Sequence, residues 1–144
     1  MMIFHNRQKN IKDIRPNLKI NGTEIEIVQQ FNFLGIILDQ HMSWKPHMNK
    51  VASKIGRTIG TLKRMKRFLP QSILKMLYNS LILPHLNYGI LAWGANPGRL
   101  VKLQKWAIRT ISNSKYNAHT EPLFKKHGLL KLKDIYQLVA LKFQ

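Results

Sequence analysis

The apolar positions change their period once along the chain. Up to about residue 40 they alternate or run together, and beyond it they recur every three or four residues. The sequence therefore reads as α+β: a short N-terminal antiparallel β hairpin or sheet followed by an all-α helical domain. Residues 18–20, Asn21-Gly22 and residues 23–28 form a hairpin signal. Asn-Gly supplies the two positive-φ residues of a type I′ turn, and Ile25 and Ile27 alternate with Glu24 and Glu26. Residues 31–38 (FNFLGIIL) are apolar almost throughout and predict one strand covered on both faces, with Gly35 marking a bulge or a close backbone approach. Ile3 and Phe4 are expected in another strand of the same sheet.

Ser43 reads as an N-cap and Pro46 fits a first helical turn, so a long helix is expected from near Trp44. Its apolar stripe is Trp44, Met48, Val51, Ile55, Ile59 and Leu62, while Lys50, Lys54, Arg57, Arg64 and Arg67 fall on the opposite side. Gly56 and Gly60 lie on that polar side, each costing about 1 kcal/mol relative to alanine. Either the helix breaks near Gly60, or its backbone meets a neighbouring element or a sugar-phosphate strand at close range. Pro70 opens a second helix, which Pro84 ends or kinks, and residues 73–93 read as a buried helix pair. Asn96 and Pro97 mark the cap and first residue of a helix with Leu100, Leu103, Ala107, Ile108 and Ile111 inside and Arg99, Lys102, Lys105 and Arg109 outside. A short helix from residues 120–122 is stopped by Gly128. A last one over residues 135–143 is cut in mid-pattern by the end of the chain.

At 144 residues and 44% hydrophobic, the chain can bury a core of one domain despite a net charge of +18. It has no cysteine, which excludes disulfides, thiol chemistry and zinc fingers and suits a reducing compartment. Residues 73–93 are the most apolar, yet they include Lys75, Asn79, Pro84, His85 and Asn87, too many polar groups for a membrane span. The N-terminus lacks the apolar run of a signal peptide and reads as a strand followed by a polar loop. The charge distribution is more specific. Between Asp39 and Glu121 there is no acidic residue, although residues 40–120 carry fourteen lysines and arginines; ordinary composition would place about ten acids there. A solvated helix face is the usual meaning of a charge run. Here no Glu stands one turn away to relieve the repulsion, so the counter-charge is expected outside the chain, with a polyphosphate backbone the first candidate.

Catalytic constellations are missing from the sequence. Its six carboxylates include no pair beyond Glu24 and Glu26, which share a strand face, so no two-metal site is expected. The six histidines show no HExxH, and the eight glycines form neither GxGxxG nor a Walker pattern. Ser43 and His47 are one helical turn apart, a spacing better explained by a cap beside a histidine than by a nucleophile and base. Trp44 and Trp93 are expected in the core, as structural residues like Tyr88 and Tyr116. Trp106, beside Lys105 and Arg109, is open between core packing and base stacking.

The series MMIFH, LKINGTEIEI, FNFLGIILD, SWKPHMNKVASKI, FLPQSILKMLYNSLILPHLNYGILAWG, LQKWAIRTI and EPLFKKHGLLKLKDIY resembles, over essentially the whole chain, the region after the catalytic palm in reverse transcriptases of non-LTR retrotransposons, closest to the jockey-like group. The resemblance implies that residues 1–40 are the β-rich end of the palm, with Phe33, Leu34 and Gly35 as a primer-grip-like element. Residues 41–144 would be a thumb-like nucleic-acid-binding region, truncated at its C-terminal end. It further implies RNA and DNA as partners, as a template–primer duplex, with the nucleus or a cytoplasmic ribonucleoprotein as the setting and no membrane. In the complete enzymes Mg²⁺ is held by palm aspartates that include an adjacent Asp-Asp pair. This sequence has no Asp-Asp, so neither cofactor nor catalytic residue is expected in it, and it reads as a fragment of an RNA-directed DNA polymerase that lacks its palm. The nucleic-acid contacts are assigned to Lys50, Lys54, Arg57, Lys63, Arg64 and Arg67, with Lys102, Lys105 and Arg109. An independent basic helical nucleic-acid-binding module and an unexpressed transposon remnant are the alternatives.

Overall fold

The computed structural model describes residues 1–6 and 18–143, which form two compact units, Met1–His47 and Met48–Gln144. The polar stretch expected after the first strand lies outside the described residues.

The first unit holds two hairpins in separate two-stranded antiparallel sheets. β1 (Lys19–Ile20) and β2 (Thr23–Glu24) pair around Asn21-Gly22, whose φ values of 50° and 79° are those the Asn-Gly signal predicts. β3 (Gln30–Phe33) and β4 (Ile36–Asp39) pair with Phe33 opposite Ile36, around Leu34 at φ 47° and Gly35 at φ 84°. The single covered strand expected over residues 31–38 is therefore a second tight hairpin, and Phe31, Phe33 and Leu34 are exposed. Gly35 is a turn residue, which frees the chain to reverse where a bulge was expected. Ile3 and Phe4 are not in a strand; the N-terminal segment is held at Met1, whose ammonium donates to the Glu26 carbonyl and whose carbonyl accepts the Val28 N–H at 2.8 Å, and at His5, whose N–H donates to the Gln40 carbonyl at 3.0 Å.

Asp39, at the end of β4, orders the turn that leads into the first helix. Its Oδ1 accepts the backbone N–H of Ser43 at 2.9 Å and of Trp44 at 3.1 Å, while the expected cap, Ser43, only reaches the Lys45 N–H at 3.4 Å. Burial of Asp39 opposes ionisation, but the Ser43 hydroxyl and the N–H groups of Trp44, Ser43 and His41 together outweigh it and hold the carboxyl below its ordinary pKa. α1 (Lys45–Met65) then runs without interruption, so it does not break at Gly60.

In the second unit Val51, Ile55, Ile59 and Leu62 of α1 are buried, as their spacing predicts. α2 (Gln71–Leu81) ends before Pro84. The Ile82 carbonyl accepts N–H from both His85 and Leu86, and Pro84 sits in the first turn of α3 (Leu83–Asn87), where its missing N–H costs no bond. Tyr88 is extended and Gly89 left-handed, which leads into α4 (Ile90–Trp93), so the expected helix pair is three helices. α5 (Arg99–Ile111) begins two residues after Pro97, with Gly98 rather than Asn96 at its cap. α6 (Glu121–His127) is closed by left-handed Gly128, as expected, and α7 (Leu132–Lys142) begins three residues earlier than the pattern suggested. α2 packs on α3 and α5, α5 on α6, and α7 on α3 and α4. Gly94 is required at the last of these contacts, because a Cβ there would lie 2.7 Å from the Tyr136 ring and strike the Ile90 carbonyl.

One polar side chain ties these helices together. Gln104 of α5, 1% exposed, donates from Nε2 to the Tyr78 hydroxyl (3.1 Å) and the Leu130 carbonyl (3.0 Å), and its Oε1 accepts the Leu132 N–H at 2.8 Å. Burial raises the Tyr78 pKa, an effect the hydrogen bond from Gln104 only partly offsets.

Candidate nucleic-acid interface

The uninterrupted α1 places its cations by helical geometry alone. Lys50, Lys54, Arg57 and Arg64 follow one another at four-, three- and seven-residue steps, which line one face, and all are exposed. Lys63, exposed, lies to one side of that row, and Arg67, also exposed, stands just beyond the helix end. Thr58 and Thr61 donate their hydroxyls to the carbonyls of Lys54 and Arg57 one turn back, so the short side chains among the cations keep close to the helix. Gly56 and Gly60 border the row, and a Cβ at either would meet nothing within 4 Å. Neither reason expected within the chain, a break or a packed neighbour, explains these glycines. They leave a low strip of helix surface beside a row of positive charge.

On α5, Lys102 and Lys105 are exposed, while Arg109 is half-buried and donates from Nε to the Ala118 carbonyl at 2.8 Å. Part of the Arg109 side chain is thus committed to holding the loop after α5. Among the described residues, the cations of α1 and α5 meet no carboxylate within ion-pair distance; the ion pair formed is Lys131 with Glu121. Phe33, Leu34 and Gly35 form the exposed tip of the β3–β4 hairpin in the first unit.

Trp93 is buried and donates its indole N–H to the Tyr88 carbonyl at 3.0 Å, and Trp44 is half-buried, whereas Trp106 is 42% exposed. Two buried polar sites gave no recognisable signal in the sequence. One is Gln104; the other is the Ser112 hydroxyl, 2.9 Å from Nε2 of His127. Burial, then the charges of Lys126 and Lys75, depress the His127 pKa. The Ser112–His127 pair closes the α5–α6 connection, where Gln71 also donates to the Ser112 carbonyl. His47, buried, accepts the Ile37 N–H on Nδ1 and braces the β3–β4 hairpin. No group of three or more His, Asp or Glu side chains among the described residues could hold a metal, and no helix there is long and apolar enough to cross a membrane.

The chain is 23% identical over 137 residues, 89% of its length, to the RNA-directed DNA polymerase from mobile element jockey of Drosophila melanogaster. It is 30% identical over 81 residues, 54% of its length, to the retrovirus-related Pol polyprotein from type-1 retrotransposable element R1 of Bradysia coprophila. Over 115 residues, 75% of its length, it is 24% identical to the probable RNA-directed DNA polymerase from transposon BS of Drosophila melanogaster. It spans 15%, 8% and 13% of these three relatives, respectively. No protein-family model and no solved structure matches it.

Proposed function

We infer that this chain, a relative of the RNA-directed DNA polymerases of jockey-like non-LTR retrotransposons, contributes template–primer binding and supplies no catalytic aspartate. The observation that carries the reading is the exposed row on α1, which stands beside a low glycine strip and has no carboxylate partner among the described residues. Such a row neutralises phosphates in any base sequence, so the grip is electrostatic and sequence-independent. The β3–β4 tip at Phe33, Leu34 and Gly35 is assigned a primer-grip-like role on the same resemblance. Mg²⁺, which the family implies, finds no fitting donor set among the described residues, where no three histidines and carboxylates converge and the Asp39 carboxylate accepts the N–H groups of Ser43 and Trp44. No chemical step is therefore assigned to this chain.

The test is an RNA–DNA duplex titrated with the purified chain between 50 and 200 mM salt. Six phosphate contacts imply that log K falls with log salt at a slope near −5, with a Kd of roughly 10⁻⁴ to 10⁻⁶ M at physiological salt. Lys50→Gln, Lys54→Gln and Arg57→Gln together should lower the slope by about three. Binding that ignores salt overturns the reading. An independent basic module is the second reading, favoured by the core of Met48–Gln144, where Ile55, Tyr78, Trp93 and Ile108 are all closed off within one unit. A cooperative melt of a monomer supports it, and aggregation through exposed apolar surface counts against it.

A further inference from the structure

The two basic helices differ in one respect. α1 carries no aromatic residue within its cationic row, whereas α5 carries Trp106 in the middle of one. We propose that Trp106 is a stacking platform for an unpaired base, so that the α5 face binds single-stranded nucleic acid while α1 holds duplex backbone. The proposal rests on the nucleic-acid reading above and adds to it the class of ligand and the group that recognises it.

Arg99, Lys102, Trp106 and Arg109 follow at three-, four- and three-residue steps on one face of α5, with Lys105 alongside. The opposite face is closed: Leu100, Ala107, Ile108 and Ile111 are all fully buried. Leu103 and Thr110, one turn before and after Trp106, are buried as well, so Trp106 stands at the edge of the packed face, with its exposed 42% on the side of the cations. No hydrogen bond among the described residues takes its indole N–H, and no cation or ring there stacks on its face. Trp93 shows the alternative, buried to 2% with its indole N–H bonded. Beside Trp106, the guanidinium of Arg109 is fixed by its bond to the Ala118 carbonyl. The loop so anchored carries Tyr116, which is 88% exposed. A part-exposed indole flanked by cations suits a base whose own phosphates the cations neutralise. A closed duplex offers no free base face, so it gains nothing from the indole.

Three labelled probes separate the effects: a 12-mer of deoxythymidine, an abasic strand with the same number of phosphates, and an RNA–DNA duplex closed at both ends by loops. Trp106→Ala should weaken the thymidine strand about tenfold and leave the abasic strand and closed duplex within about twofold, and Trp106→Phe should keep most of the affinity. Thymidine strand should also quench indole emission in the wild-type chain and much less in Trp106→Phe, a readout that stands if the alanine variant fails to fold. Equal losses on thymidine and abasic strands, or quenching unchanged in Trp106→Phe, overturn the stacking site. If the wild-type chain binds none of the probes, or binds them without salt dependence, the phosphate reading fails with it. Salt-dependent binding untouched by Trp106→Ala removes the platform alone.

Discussion

Replacing Gln104 with leucine is the sharpest probe of how the second unit is held together. Leucine nearly fills the same volume, so little of its effect comes from a cavity. What it removes is three hydrogen bonds, to the Tyr78 hydroxyl, the Leu130 carbonyl and the Leu132 N–H. Leu132 is 1% exposed, so its amide has no water to turn to and is left unsatisfied at about 1–3 kcal/mol. The other two bonds contribute about 1 kcal/mol each. The expected loss is about 3–5 kcal/mol, a large part of the 5–15 kcal/mol typical of a domain. Urea unfolding should register it directly, and a thermal melt should fall by more than about 12 °C. Tyr78→Phe removes one of the three bonds and should cost only about 1 kcal/mol. Hydrogen exchange gives a local readout: the Leu132 amide, protected in the wild-type chain, should lose protection selectively in Gln104→Leu. If Gln104→Leu costs no more than Tyr78→Phe, or stabilises the chain, Gln104 is not the tie described here.

The same glycine-to-alanine change should act with opposite signs at different sites. Gly56→Ala and Gly60→Ala add a Cβ into open space and should each stabilise by about 1 kcal/mol, whereas Gly94→Ala strikes Tyr136 and the Ile90 carbonyl and should destabilise by about 1–3 kcal/mol in urea unfolding. If the strip beside α1 admits a phosphate backbone, the stabilised variants should also bind duplex more weakly. Leu34→Asn creates the preferred Asn-Gly turn at φ 47° and should stabilise the β3–β4 hairpin by about 0.5–1 kcal/mol, read from strand amide exchange; a loss of protection would refute the turn assignment. For His127 the folded pKa is depressed, so the unfolded chain takes up the proton first. Its contribution is complete above about pH 6.5 and is lost as pH falls below it. Unfolding at pH 5 to 8 should show that decline, and His127→Asn should flatten it; stability that rises on acidification would contradict the assignment.

What could be read from sequence followed the locality of the signal. Asn21-Gly22 announces its turn within two residues, and the Val51, Ile55, Ile59 and Leu62 stripe announces a buried helix face within four turns. The β3–β4 reversal stayed hidden because Leu34, an apolar residue, stands in a left-handed position normally signalled by Asn, Asp or Gly. The run of apolar letters therefore looked unbroken. Pro84 was a correct sign of a helix boundary but marked the start of α3, while the preceding break fell at Ile82, which carries no breaking chemistry of its own. Gln104 was invisible for a different reason: its partners lie 26 and 28 residues away, and an isolated Gln in an apolar stripe has no local meaning. The α1 cations were placed correctly on an exposed face because a continuous helix fixes direction from spacing alone. Arg109 was not fully free, since its anchor, the Ala118 carbonyl, lies in an irregular loop.

The unbroken course of α1 also gives it a length. From Lys50 to Arg64 the row extends about 21 Å at 1.5 Å per residue. At about 3.4 Å of rise per nucleotide, that distance corresponds to about six base pairs. A duplex whose axis ran along α1 would therefore meet a ruler whose scale is set by helical pitch. If the row grips a duplex as proposed, duplexes shorter than about six base pairs should leave part of it unengaged, and lengthening them past that point should add sites along the nucleic acid without adding charge to any one of them.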